Sequence, residues 1–283
     1  MSNIYKSLRG LLLIENEAFL KSSAVKFLIF VIGWTMALAM PSAAQLTIAA
    51  AADLSAALED IVASYEKSGG GLVRLSFGSS GNLFNQIQNG APFDVFFSAD
   101  LDYPNRLIDA GLAQKSSLYR YAVGQLVLWV KASSPLDVEH RGMGILLDPS
   151  VKKISLANPE HAPYGRAAVV ALRHFGLYEK VAGRFVLGEN VSQAAHFVES
   201  GNAQVGFVAL SHALAPGMKE EGRYWLIPFD SYPALQQAVV ILSHSSKKKA
   251  AAAFLDYLKK PESRDLLRHY GFSVPEKTLE AKP

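Results

Sequence analysis

The sequence contains no cysteine among its 283 residues, so disulfide bonds contribute nothing to its stability. A chain of this length can bury enough apolar surface to fold without them. Charge of one sign is not in excess either, because 28 Lys and Arg stand against 25 Asp and Glu. A nucleic-acid-binding protein concentrates basic residues on one surface, so this near balance argues against a nucleic-acid partner.

Sequence motifs of enzymes are missing as well. The stretch Gly78-Ser79-Ser80-Gly81 lacks the Gly-x-Ser-x-Gly spacing of a nucleophile elbow. Neither a phosphate-binding loop with its Lys-Ser/Thr pair nor a His-Glu-x-x-His motif is present, and no two histidines are four residues apart. The sequence therefore predicts no catalytic residues, no cofactor and a protein that is not an enzyme.

Long hydrophobic runs are scarce, and the clearest one lies near the N-terminus. Residues 27–40 are apolar, Lys21 and Lys26 precede them, and small residues follow at 41–44. A membrane span needs about 20 such residues, so a secretory signal peptide is favoured over the alternative, a short membrane anchor. We expect residues 1–44 to be cleaved off after Ala44, which leaves 24 basic and 23 acidic side chains in the mature chain.

The rest of the chain alternates between strand and helix patterns, which implies parallel sheets covered by helices. The predicted strands are 46–50, 72–77, 95–97, 121–130, 154–157, 185–187, 205–209 and 237–242. The predicted helices are 54–67, 82–89, 105–110, 166–175, 192–200, 247–259 and 262–270.

Four strand-to-helix junctions carry small or polar residues at the start of a helix. They are Ala51-Ala52-Asp53, Gly78-Ser79-Ser80-Gly81, Pro163-Tyr164-Gly165 and Asn190-Val191-Ser192. Free N–H groups and the positive end of the helix dipole attract anions, and ligands bind at the carboxyl ends of strands in such sheets. Four such ends at one cleft would hold a tetrahedral oxyanion without arginine. The alternative is plain helix capping by Asp53, Ser80 and Asn190.

Several segments of the mature chain resemble the periplasmic molybdate-binding proteins of ABC importers. These are residues 49–54 (AAAADL), 77–82 (FGSSGN), 89–100 (NGAPFDVFFSAD), 157–165 (ANPEHAPYG), 206–211 (GFVALS), 257–259 (YLK) and 270–272 (YGF). The resemblance implies a two-lobed α/β periplasmic-binding-protein fold, in which each lobe is a mainly parallel sheet flanked by helices and the ligand cleft lies between them. We expect lobe 1 to comprise residues 45–122 and 238–283, and lobe 2 residues 123–237.

The resemblance also implies a function and a site. A monomeric periplasmic protein would bind molybdate or tungstate and deliver it to a membrane permease. The matching ligand-binding positions are Ala52, Asp53, Ser80, Tyr164 and Val191. Ser80 would donate from its hydroxyl and backbone, Tyr164 from its backbone or hydroxyl, and the others from backbone N–H groups. Molybdenum would be held as an oxyanion, with no direct bond from the protein to the metal.

Two positions depart from the family pattern. Members of the family often carry Ser or Asn where this chain has Asp53, and an ionised carboxylate would repel a dianion. Asp53 either turns away and caps its helix, which we favour, or accepts a proton from a protonated anion such as hydrogen phosphate. One branch of the family has a tyrosine near Ala209, so Tyr164 is expected to supply that hydroxyl. Sulfate, phosphate and ferric iron are the alternative ligands, and iron would require clustered Tyr or carboxylate groups.

Overall fold

The computed structural model describes residues 45–275. The predicted signal peptide, residues 1–44, lies outside the described residues. Within residues 45–275, no helix has the length and apolar character needed to cross a membrane.

The strands and helices alternate along the described chain, as the sequence pattern predicts. The strands are β1 (Leu46–Ala51), β2 (Val73–Gly78), β3 (Val95–Ser98), β4 (Tyr119–Gly124), β5 (Leu126–Lys131), β6 (Ile154–Ala157), β7 (Phe185–Gly188), β8 (Val205–Ala209), β9 (Gly222–Leu226) and β10 (Leu235–Ile241). The helices are α1 (Ser55–Lys67), α2 (Ser80–Gln88), α3 (Asp102–Asp109), α4 (Val138–Arg141), α5 (Pro163–His174), α6 (Tyr178–Val181), α7 (Val191–Glu199), α8 (Leu210–Leu214), α9 (Pro216–Lys219), α10 (Lys248–Leu258) and α11 (Pro261–His269). Short 3-10 turns occupy Ala52–Leu54, Lys115–Ser117, Gly142–Leu147, Ala182–Arg184 and Phe229–Ser231.

Two five-stranded sheets form the framework. The first has the order β2-β1-β3-β10-β4, and the second has the order β7-β6-β8-β5-β9. In the first sheet β10 is antiparallel to both of its neighbours, so it runs against the other four strands. In the second sheet β5 does the same. Both sheets are therefore mixed but mainly parallel, and the predicted two-lobed α/β fold is confirmed.

Helix α1 illustrates how the sequence pattern becomes structure. Its apolar residues recur every three or four positions, which places them on one face of the helix. Those side chains, Ala57, Leu58, Ile61, Val62 and Tyr65, are buried in the core of the first lobe with strands β1 and β3. The helix ends before Gly69, whose φ of 89° is easily reached only by a residue without a side chain.

The predicted strand over residues 121–130 is wrong as a single element. It is two strands, β4 in the first sheet and β5 in the second, separated at Gln125. Gly124 is the last residue of β4 and permits the close approach of Tyr164, since a Cβ there would lie only 2.2 Å from the Tyr164 hydroxyl oxygen. The Gln125 side chain then donates to the carbonyl of Gly271 at 3.1 Å, which fixes the crossing point.

The chain returns to the first sheet between β9 and β10. Strand β9 is half-exposed along most of its length, and its weak hydrophobic pattern left it unpredicted. The lobe boundaries stay a prediction. The chain thus crosses between the sheets from β4 to β5 and from β9 to β10. The helices that follow β1, β2, β6 and β7 then begin at a common gap, where the functional site is expected.

Candidate ligand-binding site

One small pocket is lined by all five residues that the sequence predicts for the site. Its lining is Ala51, Ala52, Asp53, Gly78, Ser79, Ser80, Ala99, Ala162, Pro163, Tyr164, Asn190 and Val191. Within the described chain, this lining includes no lysine, arginine or histidine. An anion in the pocket would therefore be held by uncharged donors. The assignment of the five residues as ligand contacts stays a prediction.

Helix α2 contributes Ser80 from its first turn. The expectation that Ser80 caps this helix is wrong, because Ser79 is the capping residue and its hydroxyl accepts from the N–H of Asn82 at 3.3 Å. The Ser80 hydroxyl accepts instead from the N–H of Ala99 at 3.0 Å. A hydroxyl that accepts one bond still has its own proton to donate, so Ser80 can donate into the pocket.

Helices α5 and α7 present their N-terminal ends to the same pocket. Helix α5 begins at Pro163, and its cap Ala162 offers no side-chain acceptor, so the N–H groups of Tyr164 and Gly165 lack intrahelical partners. In α7, the predicted cap Asn190 is confirmed, since its side chain accepts from the N–H of Gln193 at 3.0 Å. The N–H of Val191 lies in the first turn after this cap. The positive dipole ends of both helices favour an anion here.

Asp53 does not cap its helix, so the expectation from the sequence is wrong at this residue too. No side chain caps the 3-10 turn Ala52–Leu54 or the start of α1. Asp53 is 2% exposed, and its carboxyl instead accepts at Oδ2 from the side-chain amide of Gln237 on β10. Its other oxygen, Oδ1, is buried and has no hydrogen-bond partner within residues 45–275.

A buried polar network fixes that amide. The Tyr121 hydroxyl donates to Oε1 of Gln237 at 2.7 Å, so the amide nitrogen must face Asp53. The same nitrogen lies 3.4 Å from the Tyr164 hydroxyl oxygen. Burial raises the pKa of Asp53 from 3.8 to about 6, although the hydrogen bond from Gln237 lowers it in part. The Tyr164 hydroxyl thus belongs to this network, and its backbone N–H remains for the pocket.

Side chains that the sequence did not single out join the two lobes beside the pocket. The guanidinium of Arg166 in α5 contacts Oδ2 of Asp100, which follows β3, at 2.5 Å. The amide of Asn82 donates to the Glu189 carboxylate at 3.0 Å. The N–H of Gly81 donates to the carbonyl of His161 at 2.9 Å. Only tertiary structure brings these partners together.

A second group holds the turn that carries Ala52 and Asp53. The Ser192 hydroxyl, at the start of α7, lies 3.3 Å from the carbonyl oxygen of Ala52 and 2.7 Å from Nε2 of His212. The Ser211 hydroxyl, in α8, donates to the carbonyl of Asp53 at 2.6 Å. Burial lowers the pKa of His212 to about 4, so the imidazole is neutral at pH 7. These contacts make the described conformation a closed one.

Comparisons with known proteins agree with this architecture. Residues 46–273 match the model of the bacterial extracellular solute-binding protein family. The chain is 39% identical over 253 residues to Molybdate-binding protein ModA of Azotobacter vinelandii, which covers 89% of this chain and 99% of that protein. It is 40% identical over 238 residues to the protein of the same name from Rhodobacter capsulatus, with coverages of 84% and 92%.

A solved structure is similar as well. The periplasmic molybdate-binding protein of Azotobacter vinelandii matches with a TM-score of 0.77 at 35% identity, covering 82% of this chain and 100% of that one. The fold is that of a two-lobed binding protein, and the relatives are substrate-binding proteins and not enzymes. The chain belongs to the bacterial extracellular solute-binding protein family.

Proposed function

We propose that this protein is the extracytoplasmic substrate-binding component of an ABC importer, and that it binds molybdate or tungstate between its lobes. The observation that carries the proposal is the convergence of Ala52, Asp53, Ser80, Tyr164 and Val191 on one small pocket without a basic side chain. The relatives at 39% and 40% identity are both named as molybdate-binding proteins, which supports molybdate as the ligand.

The proposed chemistry follows from the closed pocket. Backbone N–H groups at helix starts and the Ser80 hydroxyl donate to the four oxygens of the anion. Closure removes water, and hydrogen bonds to a charge are stronger in the resulting low dielectric. The donors are fixed by helix geometry before the anion arrives, so little ordering is needed on binding.

Transport adds three further parts to the proposal. Residues 1–44 act as a signal peptide, which directs the protein to the periplasm. The lobes, residues 45–122 with 238–283 and residues 123–237, open and close about the two chain crossings. The closed monomer then docks on a membrane permease, which receives the anion.

Calorimetric titration of residues 45–283 with molybdate, tungstate, sulfate and phosphate at pH 7 tests the ligand. We expect molybdate and tungstate to bind at least tenfold more tightly than sulfate or phosphate. Preferential binding of phosphate would assign the protein a different transport specificity, with Asp53 accepting the proton of the anion. Binding of none of the four would refute the ligand assignment while leaving the fold intact.

A further inference from the structure

Asp53 presents a chemical problem if the pocket holds a dianion. Asp53 lines the pocket and is 2% exposed, and the lining contributes no cation to offset the charge of its carboxyl within the described residues. A carboxylate and a dianion in one buried pocket repel each other strongly, because little water remains to screen them.

The buried network shows how this repulsion is avoided. Tyr121 fixes the orientation of the Gln237 amide, and the amide nitrogen donates to Oδ2 of Asp53. Oδ2 therefore stays an acceptor, whatever the protonation state of the carboxyl. The remaining oxygen, Oδ1, is buried without a partner, so it is the atom on which a proton would sit. A protonated carboxyl has one O–H donor, which is what the site needs.

We infer that the pocket binds a proton together with the oxyanion. As the anion enters, Asp53 takes up a proton from solvent on Oδ1, and the new O–H group donates a hydrogen bond to the anion. The inference rests on the proposed function and gives Asp53 the role of a donor instead of a repelling charge. Gln237 is the positioning residue, since it keeps Oδ2 occupied and leaves Oδ1 for the proton.

The backbone around Gln237 fits such a positioning role. The register of β10 against β4 shifts between Gln237 and Ala238, and such irregularities redirect side chains next to binding sites. Gln237 is fully buried although it is polar, and both ends of its amide are engaged. A buried amide with both ends satisfied holds a defined orientation.

The buried tyrosines and the buried histidine near Asp53 do not change charge between pH 6 and 8.5. Burial raises the pKa of Tyr121 on β4 and of Tyr164 on α5 well above 10, and it also raises the pKa of Tyr232. Burial lowers the pKa of His212 on α8 to about 4. The pKa of Asp53, raised to about 6, means that the empty pocket holds a carboxylate at pH 8 and can take up a proton on binding.

Calorimetric titration of the purified protein with molybdate at pH 8, in two buffers with different ionisation enthalpies such as HEPES and Tris, measures proton uptake. We expect about one proton per anion at pH 8 and much less at pH 5. The dissociation constant should rise about tenfold from pH 7 to pH 8, because the pocket takes up one proton from solvent for each anion that binds.

The variant Asp53→Asn is the matched control. Its amide N–H can donate a hydrogen bond without taking up a proton, and its amide oxygen can still accept from Gln237. It should bind molybdate with no proton uptake, and at pH 8 at least tenfold more tightly than the wild type. The two proteins carry the same titratable groups apart from residue 53, so proton exchange by those groups cancels in the comparison. Molybdate binding to the wild type without proton uptake would overturn the inference and leave the proposed function standing. Failure of every oxyanion to bind would overturn both.

Discussion

Ser79 and Ser80 are adjacent, but their hydroxyls have different partners. Substitutions at the two positions should therefore affect stability and ligand binding differently. Ser79 caps α2, whereas Ser80 accepts from Ala99 and keeps its proton for the pocket. Ser80→Ala should weaken molybdate binding by about 1.5–3 kcal/mol, the value of a hydrogen bond to a charged group. Calorimetry with the purified variant measures this loss.

Ser79→Ala serves as the control. It should lower the free energy of unfolding by about 1 kcal/mol, as the loss of a cap does, while the affinity for molybdate changes little. If the two variants have the same affinity as the wild type, Ser80 does not contact the anion.

Asp53 should also make the stability of the ligand-free protein depend on pH. Its folded pKa of about 6 exceeds the unfolded value of 3.8, so between these values the folded state binds more protons than the unfolded state. Stability from this group is therefore greatest below about pH 4 and is lost as the pH rises through about 6. The full shift corresponds to a cost of about 3 kcal/mol at pH 7.

Asp53→Asn removes that cost, so the variant should unfold at a higher temperature than the wild type at pH 7. Near pH 4 the two proteins should have similar stability. Thermal unfolding without ligand at both pH values measures the difference. A gain that is equal at pH 4 and pH 7 would mean that the charge of Asp53 is not its cause.

For single residues, the sequence predicts which of them line the pocket but not all of their hydrogen-bond partners. Asp53, Ser80 and Tyr164 stand out because they begin helices, a local property. The sequence assigns the cap of α2 to Ser80, one residue after the true capping residue Ser79, because the two adjacent serines carry the same hydroxyl group. Gln237 is 184 residues from Asp53, and no local pattern connects a glutamine in a strand with a helix start so distant in sequence.

Among the helices, α5 depends on an unusually close approach to β6. A Cβ on Gly165 would lie 2.1 Å from the carbonyl oxygen of Ala157, which is too short for any real contact. Gly165→Ala should therefore shift the start of α5, lower the free energy of unfolding by about 1–3 kcal/mol and weaken molybdate binding. Chemical denaturation and calorimetry measure the two effects.

Gly183→Ala is the control, because a Cβ at Gly183 meets nothing within 4 Å. We expect its stability to stay within about 0.5 kcal/mol of the wild type, as for most surface substitutions. An equal loss in both variants would show that the packing of α5 on β6 is not the cause.

Elements with a strong local pattern, such as α1 and β8, are predicted close to their observed bounds. The single predicted strand over residues 121–130 fails for a physical reason. Strands β4 and β5 are both apolar because each is buried in its own sheet, and apolar residues alone do not mark a change of sheet. Gly124 ends β4, but its lack of a side chain is explained by the close approach of Tyr164, which is distant in sequence.

For the whole molecule, the ion pair between Arg166 and Asp100 stabilises the closed form, because its partners lie on different lobes. Arg166→Gln should weaken molybdate binding about two- to fivefold, a modest effect because the guanidinium is partly exposed. Faster release of the anion should account for most of the loss. Stopped-flow fluorescence measures the release rate.

Arg268→Gln is the matched control, since Arg268 pairs with Asp265 within α11 on one lobe. This variant should bind and release molybdate like the wild type. If Arg166→Gln leaves the release rate unchanged, the ion pair does not hold the lobes closed.

The central claim is that an oxyanion lies between the lobes at the five predicted residues. A crystal structure of the molybdate complex, with an anomalous difference map recorded at the molybdenum absorption edge, tests it most directly. We predict one strong peak in the pocket lined by Ala52, Asp53, Ser80, Tyr164 and Val191, with no lysine or arginine in contact with the anion. A peak elsewhere, or an anion held by basic side chains, would contradict the account.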